Sequence, residues 1–211
     1  MEKINLSKDG PEVSRVALGM MRLRDWNLPR TKLCELFDRC LELGLNTFDH
    51  ADIYGGTACE SLFGEAFSSM PVARGEIRLV TKCDIRIPGP GADAPAVKHY
   101  DTTRAHILRS IEGSLARLRT DYVDLLLIHR PDPLMDADEI AAAFAELRER
   151  GLVRFFGVSN FTTSQFDLLQ SRVPFELVTN QVECSVLNNA ALDDGTLDGC
   201  QRLGISPMTW S

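Results

Sequence analysis

The sequence lacks any apolar run long enough to cross a bilayer, and residues 1–5 do not form the apolar segment of a signal peptide. Its six cysteines include no Cys-x-x-Cys pair, which argues against both a zinc ribbon and a disulfide framework. Basic residues are too few, 23 against 30 acidic ones, and too scattered to attract a polyanion. We therefore expect a cytoplasmic protein with reduced thiols that binds neither nucleic acid nor a membrane. The oligomeric state is left open.

The stretch at residues 47–56 is the one around which the rest of the chain is organised. It begins as an apolar strand and turns abruptly polar at its exit, where it carries Asp49, His50, Asp52 and Tyr54 before two glycines. The strand's centre lies in a core, where an unpaired carboxylate is costly. Asp49 therefore requires a cationic or hydrogen-bonding partner from elsewhere in the chain.

Apolar runs and helical stripes alternate along the chain, and 211 residues with 44% hydrophobic content can bury one large core. This predicts a single domain over 1–211, with two small domains as the alternative. The seven predicted core strands cover residues 16–20, 45–49, 77–83, 122–128, 153–158, 177–181 and 205–211. Helices are predicted at 31–43, 57–67, 103–118, 136–151, from 162 onward, and at 196–203.

Several local signals refine this pattern. Alternating residues on either side of Asp9-Gly10-Pro11 predict an N-terminal β-hairpin over 4–16, and Gly44 stands where a helix C-cap belongs. Two segments, Thr57-x-x-Glu60 and Thr162-x-x-Gln165, have capping-box spacing. Residues 85–100 are rich in proline and glycine without a hydrophobic period, which predicts a long surface loop.

Alternation of strands and helices predicts a parallel α/β sheet, either a barrel or a doubly wound open sheet. Polar residues end five different apolar strands, and only a closed barrel brings so many strand ends to one point. An open sheet would instead place a glycine-rich phosphate loop after its first strand, and Gly19-Met20-Met21 is no such loop. We therefore predict a TIM (β/α)8-type barrel. The polar strand ends are Asp49, Lys82, His129, Ser159-Asn160 and Gln181.

These polar residues suggest a proton-donating site. A free phenol is a poor acid at neutral pH, so Tyr54 needs a nearby ammonium such as Lys82 to favour its phenolate. Buried Lys82 in turn needs the Asp49 carboxylate to stay protonated, and a neutral His129 can orient a carbonyl oxygen. Such a site lacks a reductant, so a hydride-carrying cofactor is implied. His50 and Asp52 do not indicate a metal site, because no second His or Cys lies at ligand spacing.

The motifs that carry these residues resemble those of the aldo-keto reductases, specifically the bacterial branch. They are Asp-His-Ala-Asp-Ile-Tyr-Gly-Gly at 49–56, Thr-Lys-Cys at 81–83 and Leu-Leu-Ile-His-Arg-Pro-Asp-Pro at 126–133. The likeness extends from about Arg15 to Ser211. It implies a catalytic tetrad at Asp49, Tyr54, Lys82 and His129.

The resemblance also implies NADPH as the usual cofactor, with NADH not excluded, and a small carbonyl compound as substrate. Nicotinamide contacts are implied for Ser159, Asn160 and Gln181, with Trp210 stacking on the ring and Gly19 and Met20 lining the site. Asp49 and Ser211 complete the implied cofactor-binding set.

The chain departs from the family pattern in two places. His50 stands where many relatives have threonine, and the sequence stops within the seventh-strand motif. We therefore expect a barrel domain that lacks its eighth strand, with unpaired edges on its first and seventh strands. The main hypothesis is an NADP-dependent carbonyl reductase with Tyr54 as general acid. The alternatives are a nucleotide-binding regulatory or accessory protein and a catalytically incompetent fragment.

Overall fold

The structure, a computed structural model, describes residues 1–89 and 94–211. Within these residues, no helix is both long and apolar enough to span a membrane. All six cysteines are free thiols, as expected, and Cys83 is fully buried in the core. The described residues fold into short β-strands and six α-helices, and most of the helices lie between successive strands of one sheet.

The predicted alternation of strands and helices is confirmed. The strands are β1 (Lys3–Asn5), β2 (Glu12–Ser14), β3 (Leu18–Gly19), β4 (Thr47–Asp49), β5 (Arg78–Cys83), β6 (Ile85–Arg86), β7 (His99–Tyr100), β8 (Val123–Ile128), β9 (Val153–Ser159), β10 (Leu177–Glu183) and β11 (Met208–Trp210). The helices are α1 (Arg30–Glu42), α2 (Ala58–Phe67), α3 (Arg104–Leu118), α4 (Ala137–Glu149), α5 (Thr163–Gln170) and α6 (Thr196–Leu203).

Seven of these strands form one parallel sheet in the order β11-β10-β9-β8-β5-β4-β3. They correspond to the seven predicted core strands. Among the described residues, β3 and β11 are the two ends of the sheet and do not pair with each other. The fold is therefore the predicted α/β barrel type with seven strands in place.

The N-terminal hairpin β1–β2 shows that the sheet is curled. At one end of the sheet, Ser206, just before β11, donates its N–H to the Leu6 carbonyl over 2.6 Å. Near the other end, Ser14 and Thr47 exchange backbone-to-hydroxyl hydrogen bonds of 2.9 and 3.2 Å. Because one hairpin contacts the sheet near both of its edges, the amino ends of the strands converge on the hairpin. The predicted hairpin is thus the floor of the half-barrel.

The hydrophobic core has two parts. The larger one lies between the sheet and the helices and includes the contacting rings of Phe37, Phe48 and Phe63. The smaller one lies inside the curled sheet against the hairpin. We call it the floor cluster, and it consists of Leu6, Val13, Val80, Leu125, Leu127 and Val178. Since apolar burial contributes about 25 cal/mol per Å², this cluster stabilises the packing of the hairpin against the sheet.

The helix ends confirm most of the predicted caps. Gly44 follows α1 with φ +77°, the left-handed conformation that glycine adopts without strain. Thr162 and Gln165 form the predicted capping box at the start of α5. The capping box at Thr57 is wrong: Thr57 makes no side-chain cap, and the Glu60 carboxylate is buried against Arg117 and Thr81. A buried carboxylate satisfied by these side chains is not free to cap a helix.

The predicted surface loop at 85–100 is only partly correct. Two-residue strands at either end of it, β6 and β7, pair as an antiparallel ribbon in the register Ile85 with Tyr100 and Arg86 with His99. Strands of two residues are too short to show an alternation of apolar and polar residues. The proline and glycine content of 85–100 therefore led to the prediction of a loop. The part of that prediction at 90–93 lies outside the described residues.

Candidate active site

The carboxyl ends of the parallel strands surround a cleft of about 610 Å³. It lies at the end of the half-barrel opposite the hairpin, where the residue pattern predicted a site. Its lining comes from strand exits and from the loops that follow β3, β4, β6 and β8. The residues lining it are Gly19, Met21, Arg22, Trp26, Asp49, Ile53, Tyr54, Gly55, Ile85, Lys98, His129, Arg130, Ser159, Gln181, Trp210 and Ser211.

The centre of this cleft is an ion pair between two neighbouring strands. Lys82 on β5 places its Nζ 2.8 Å from both carboxylate oxygens of Asp49 on β4, and donates to the His50 carbonyl over 2.8 Å. Lys82 is 1% exposed. Burial alone would lower the pKa of Lys82, but Asp49 and Tyr54 outweigh it and the net pKa is raised. Asp49 therefore has the cationic partner that the sequence required, and Lys82 stays an ammonium.

Tyr54 is the third member of this group. Its hydroxyl oxygen lies 3.3 Å from Lys82 Nζ, because the segment after β4 turns back over the end of β5. The sequence predicted that Lys82 would lower the pKa of Tyr54, and this is wrong for the net shift. Burial raises the pKa of Tyr54 above 10, and the opposing effect of Lys82 is smaller. The phenol is thus held protonated at neutral pH.

His129 stands beside the phenol at the exit of β8. Its ring centroid is 5.9 Å from that of Tyr54, with the two rings at 79°. Burial, followed by the charges of Lys82, Arg130 and Lys98, lowers the pKa of His129 to about 2. Its Nδ1 is buried without a hydrogen-bond partner among the described residues. His129 is therefore neutral, as predicted, and carries a single N–H.

The residues implied for nicotinamide contact are linked to one another. Ser159 Oγ donates to the Gln181 carbonyl, Asn160 Nδ2 donates to Ser159 Oγ, and Trp210 Nε1 donates to Asn160 Oδ1. Ser159, Gln181, Trp210 and Ser211 line the cleft directly. Asn160, held at φ +59°, instead lies behind them and bridges Ser159 to Trp210. These bonds join the exits of β9, β10 and β11 into one rigid wall.

One implied lining residue is wrong. Met20 is fully buried in the hydrophobic core, and its neighbours Gly19 and Met21 line the cleft instead. The Met20 N–H donates to the Asp49 carbonyl over 2.9 Å, which continues the β3–β4 ladder. Successive side chains point to opposite faces of such a segment. The Met20 side chain therefore points into the core, whereas the Met21 side chain points to the cleft.

Two polar residues near the site belong to the packing around it. His50 is buried, its ring lies edge-on to Phe63 at 4.7 Å, and burial lowers its pKa to about 3. Asp52 accepts a 2.6 Å hydrogen bond from Ser110, and burial raises its pKa to about 7. The described residues include no group of three or more His, Cys, Asp or Glu side chains placed to hold a metal ion.

Eight of the lining residues had no predicted role: Met21, Arg22, Trp26, Ile53, Gly55, Ile85, Lys98 and Arg130. Most of them stand in loops without periodicity, where nothing in the pattern shows which way a side chain points. Arg130 was visible within the Leu-Leu-Ile-His-Arg-Pro-Asp-Pro motif at 126–133, but the motif assigned it no chemistry. The arrangement as a whole offers a protonated phenol, a neutral imidazole and an ammonium beside one cleft.

Comparison with protein families gives a match over residues 15–211 to the profile of the Aldo/keto reductase family. The chain is 51% identical over 211 residues to Oxidoreductase YdhF of Escherichia coli strain K12, covering 100% of this chain and 70% of that protein. It is 44% identical over 212 residues to a 6-dehydroglucose reductase of Agrobacterium fabrum, covering 100% of this chain and 71% of that protein.

Among solved structures, the chain resembles the thermostable aldo-keto reductase Tm1743 in complex with the inhibitor epalrestat. The TM-score is 0.83 at 30% sequence identity, and the match covers 100% of this chain and 73% of that one. The likeness therefore extends over the whole half-barrel, the floor hairpin and the cleft included.

Proposed function

Since the chain belongs to the aldo/keto reductase family, we propose that it reduces aldehydes or ketones to alcohols with NADPH, and that Tyr54 is the general acid. One observation carries this proposal. Lys82 Nζ touches both the Asp49 carboxylate and the Tyr54 hydroxyl, at 2.8 and 3.3 Å, with neutral His129 at the edge of the same phenol. These four side chains come from the exits of three strands, Asp49 and Tyr54 from β4 and its loop, Lys82 from β5 and His129 from β8.

In the reaction, the substrate carbonyl lies against Tyr54 and His129. The neutral imidazole donates its N–H to the carbonyl oxygen and orients it. As the carbonyl carbon gains a hydride, the oxygen becomes an alkoxide and takes the proton from Tyr54. General acid catalysis of this kind contributes about 10² to 10⁴ in rate. The raised pKa of Tyr54 ensures that the proton is present before the reaction.

Lys82 acts on the phenolate that remains after this transfer. An ammonium 3.3 Å from the phenol oxygen stabilises the developing negative charge in a site shielded from water. Asp49 keeps that ammonium charged and fixed through two 2.8 Å contacts. The pair is thus formed before substrate binds, which avoids reorganisation during the reaction.

The cleft also has features that fit a nicotinamide. Nothing lies within 4 Å of the position that a Cβ would take on Gly19, which leaves a flat surface open to an approaching ring. The Gln181 amide and the Trp210 indole line the opposite wall. When bound, the cofactor supplies the hydride. The preference for NADPH over NADH follows from the family resemblance.

The remaining parts of the proposal concern the substrate and setting. We propose a small carbonyl compound as substrate. The relative named 6-dehydroglucose reductase suggests a sugar aldehyde for the first assays. We further propose that residues 1–211 act as a single cytoplasmic domain, without a metal.

The proposal is tested in two steps with the whole chain. NADPH fluorescence is titrated first, and turnover of a generic aldehyde is then compared between wild type and Tyr54→Phe. Tyr100→Phe is the matched control, because Tyr100 lies on β7 outside the cleft. We expect NADPH binding in all three proteins and turnover about 10² to 10⁴ lower only in Tyr54→Phe. Binding without turnover would favour an accessory role. The absence of both NADPH binding and turnover in wild type would contradict the reductase proposal.

A further inference from the structure

The cleft has an unbalanced charge. Among the described residues that line it, Asp49 carries the only carboxylate side chain, and that carboxylate is paired with Lys82. Three further cations, Arg22, Lys98 and Arg130, also line it, and none has a carboxylate within 4.0 Å among the described residues. The whole chain nevertheless has a net charge of −7. Positive charge is therefore concentrated in the cleft that holds Tyr54 and His129.

The backbone of Arg130 is anchored at the edge of this cleft. Its backbone N–H donates to a carboxyl oxygen of Asp84 over 2.9 Å, and Pro131 follows it. Its guanidinium lies 5.0 Å from the centroid of the Trp210 ring, within the range of a cation–π contact. A guanidinium carries a planar set of donors, the arrangement that binds carboxylate or phosphate in pairs of hydrogen bonds.

Asp84, which anchors Arg130, is in an unfavourable conformation. It is 0% exposed and has φ +104°, a region that L-residues with side chains rarely occupy. Its position directly after β5 ties the β5 exit to the loop that carries His129 and Arg130. A strained conformation persists only where surrounding contacts enforce it. Here the strained Asp84 accepts the backbone N–H of Arg130 and so positions that backbone at the edge of the cleft.

Lys98 supplies the second cation from another direction. It immediately precedes β7 in the ribbon and is exposed to the cleft. Its charge contributes to the lowered pKa of His129, so it stands near the reacting end of the cleft. The residues proposed to contact nicotinamide lie at the exits of β9, β10 and β11, whereas Lys98 lies between β6 and β7, in the segment that follows β5. Lys98 is thus on the substrate side.

From these observations we propose that the cleft selects carbonyl compounds that also carry an acidic group, a carboxylate or a phosphate, bound by Arg130 and Lys98. The inference rests on the proposed reductase function, since it places the carbonyl against Tyr54 and His129. Arg22 is left to the cofactor side, because it follows Gly19 by three residues on the opposite edge of the sheet.

A binding experiment tests the inference without requiring turnover. The chain has two tryptophans, Trp26 and Trp210, and both line the cleft, so intrinsic fluorescence reports occupancy. Wild type is titrated with 4-oxobutanoate and with its neutral amide, and with glyceraldehyde 3-phosphate and glyceraldehyde. We expect at least one acid to bind about 10-fold tighter than its neutral partner. The two pairs distinguish a carboxylate from a phosphate ligand.

Variants then assign the preference to the two cations. Arg130→Gln is expected to weaken the acid about 10-fold or more and leave the neutral partner unchanged, with a smaller loss for Lys98→Gln. Arg130→Lys should recover part of the affinity. Lys8→Gln is the matched control, since Lys8 is exposed in the hairpin turn at the far end of the molecule. Thermal melting of each variant confirms that it is folded.

Kinetics separate this inference from the proposed function. With NADPH present, Arg130→Gln should raise KM for the acidic aldehyde by a larger factor than KM for the neutral one. Equal binding of acid and neutral partner by wild type would overturn the inference, even if Tyr54-dependent turnover is observed. An Arg130→Gln variant that loses NADPH affinity instead of acid affinity would also overturn it. Acid preference without turnover would sustain the binding site and reject the reductase.

Discussion

The two ends of the half-barrel are built from the same strands but differ in chemistry. On β5, Val80 and Lys82 both face the inside of the curled sheet, two residues apart. Val80 packs in the floor cluster beneath the hairpin, whereas Lys82 joins Asp49 and Tyr54 in the cleft. On β8, Leu125 and Leu127 lie in the floor cluster and His129 follows at the exit.

This difference shows how one fold separates stability from function. At the floor, the interior is apolar and closed, so burial stabilises the hairpin without any group that needs a partner. At the cleft, the buried Lys82, Asp49 and Tyr54 side chains satisfy one another, and the site depends on them together. A separation of two residues along β5 therefore takes the chain from Val80, which packs in the floor cluster, to Lys82, which belongs to the candidate active site.

Backbone strain follows the same division. Of the five non-glycine residues with positive φ in the described chain, four follow strand ends on the cleft side: Asn27, Thr57, Asp84 and Asn160. At the floor end, glycines take this conformation after three helices, at Gly44, Gly151 and Gly204. Glycine adopts it without cost, and other residues are strained by it. Non-glycine residues with positive φ are thus more frequent at the cleft end, and the exception at the floor end is Arg119 after α3, at φ +54°.

The largest expected effect breaks the charge pair at the cleft end. Lys82→Met leaves the Asp49 carboxylate, 14% exposed, without its cation. We expect a loss of about 3–5 kcal/mol in the free energy of unfolding and, in protein that remains folded, a rate at least about 10²-fold lower. Lys32→Met, which removes an exposed pair with Glu35, is the control and should cost under about 1 kcal/mol. Urea unfolding and an aldehyde assay measure both.

The next prediction tests the floor end alone. Leu125→Ala opens a cavity at a side chain that is 1% exposed, and should lower the free energy of unfolding by about 2–5 kcal/mol. Below the midpoint of unfolding, kcat should stay within about twofold of wild type, because no reacting group moves. Leu134→Ala, at a 91% exposed position, is the matched control and should be nearly neutral. A large loss of kcat in folded Leu125→Ala would break the proposed separation.

A smaller effect compares two helix starts on the cleft side. Thr162→Ala removes the capping box of α5 and should destabilise by about 1 kcal/mol. Thr57 makes no cap at φ +78°, so Thr57→Gly should instead be neutral or stabilise by up to about 1 kcal/mol. Thermal melting measures both. The opposite order would contradict the assignment of strain to Thr57.

The smallest expected effect is that His129 does not change its protonation state between pH 5 and 8. The pKa of His129 is lowered to about 2 from 6.5, so the imidazole is neutral at every pH well above 2. Ring-nitrogen NMR should show the His129 signals unchanged between pH 5 and 8, with His129→Gln used to assign them. A His129 transition near 6.5 would mean that the cleft is wetter than the structure indicates.

Much of this fold could be predicted from the sequence, because burial leaves a periodic pattern. The seven core strands and the polar residues at their exits follow from apolar runs that end in Asp49, Lys82 and His129. Their convergence follows from the parallel arrangement, since parallel strands place their carboxyl ends on one side. A glycine after a helical stripe likewise identified the end of α1 at Gly44.

What could not be predicted depends on three-dimensional burial. The direction of the Tyr54 shift required knowing that burial outweighs Lys82, and the buried role of Glu60 required knowing that Arg117 reaches it. Lys98 and Arg130 sit in loops whose side-chain directions have no period. These residues become informative only when their neighbours in space are known.

The central claim is that Tyr54 protonates a carbonyl as hydride reaches it. The most direct measurement is a single turnover of an aldehyde with NADPH deuterated at the transferring position of its nicotinamide, in wild type and Tyr54→Phe. We predict deuterium on the carbinol carbon of the product, a primary isotope effect, and a step about 10² to 10⁴ slower in Tyr54→Phe. Equal rates in the two proteins, or an alcohol without deuterium, would contradict the account.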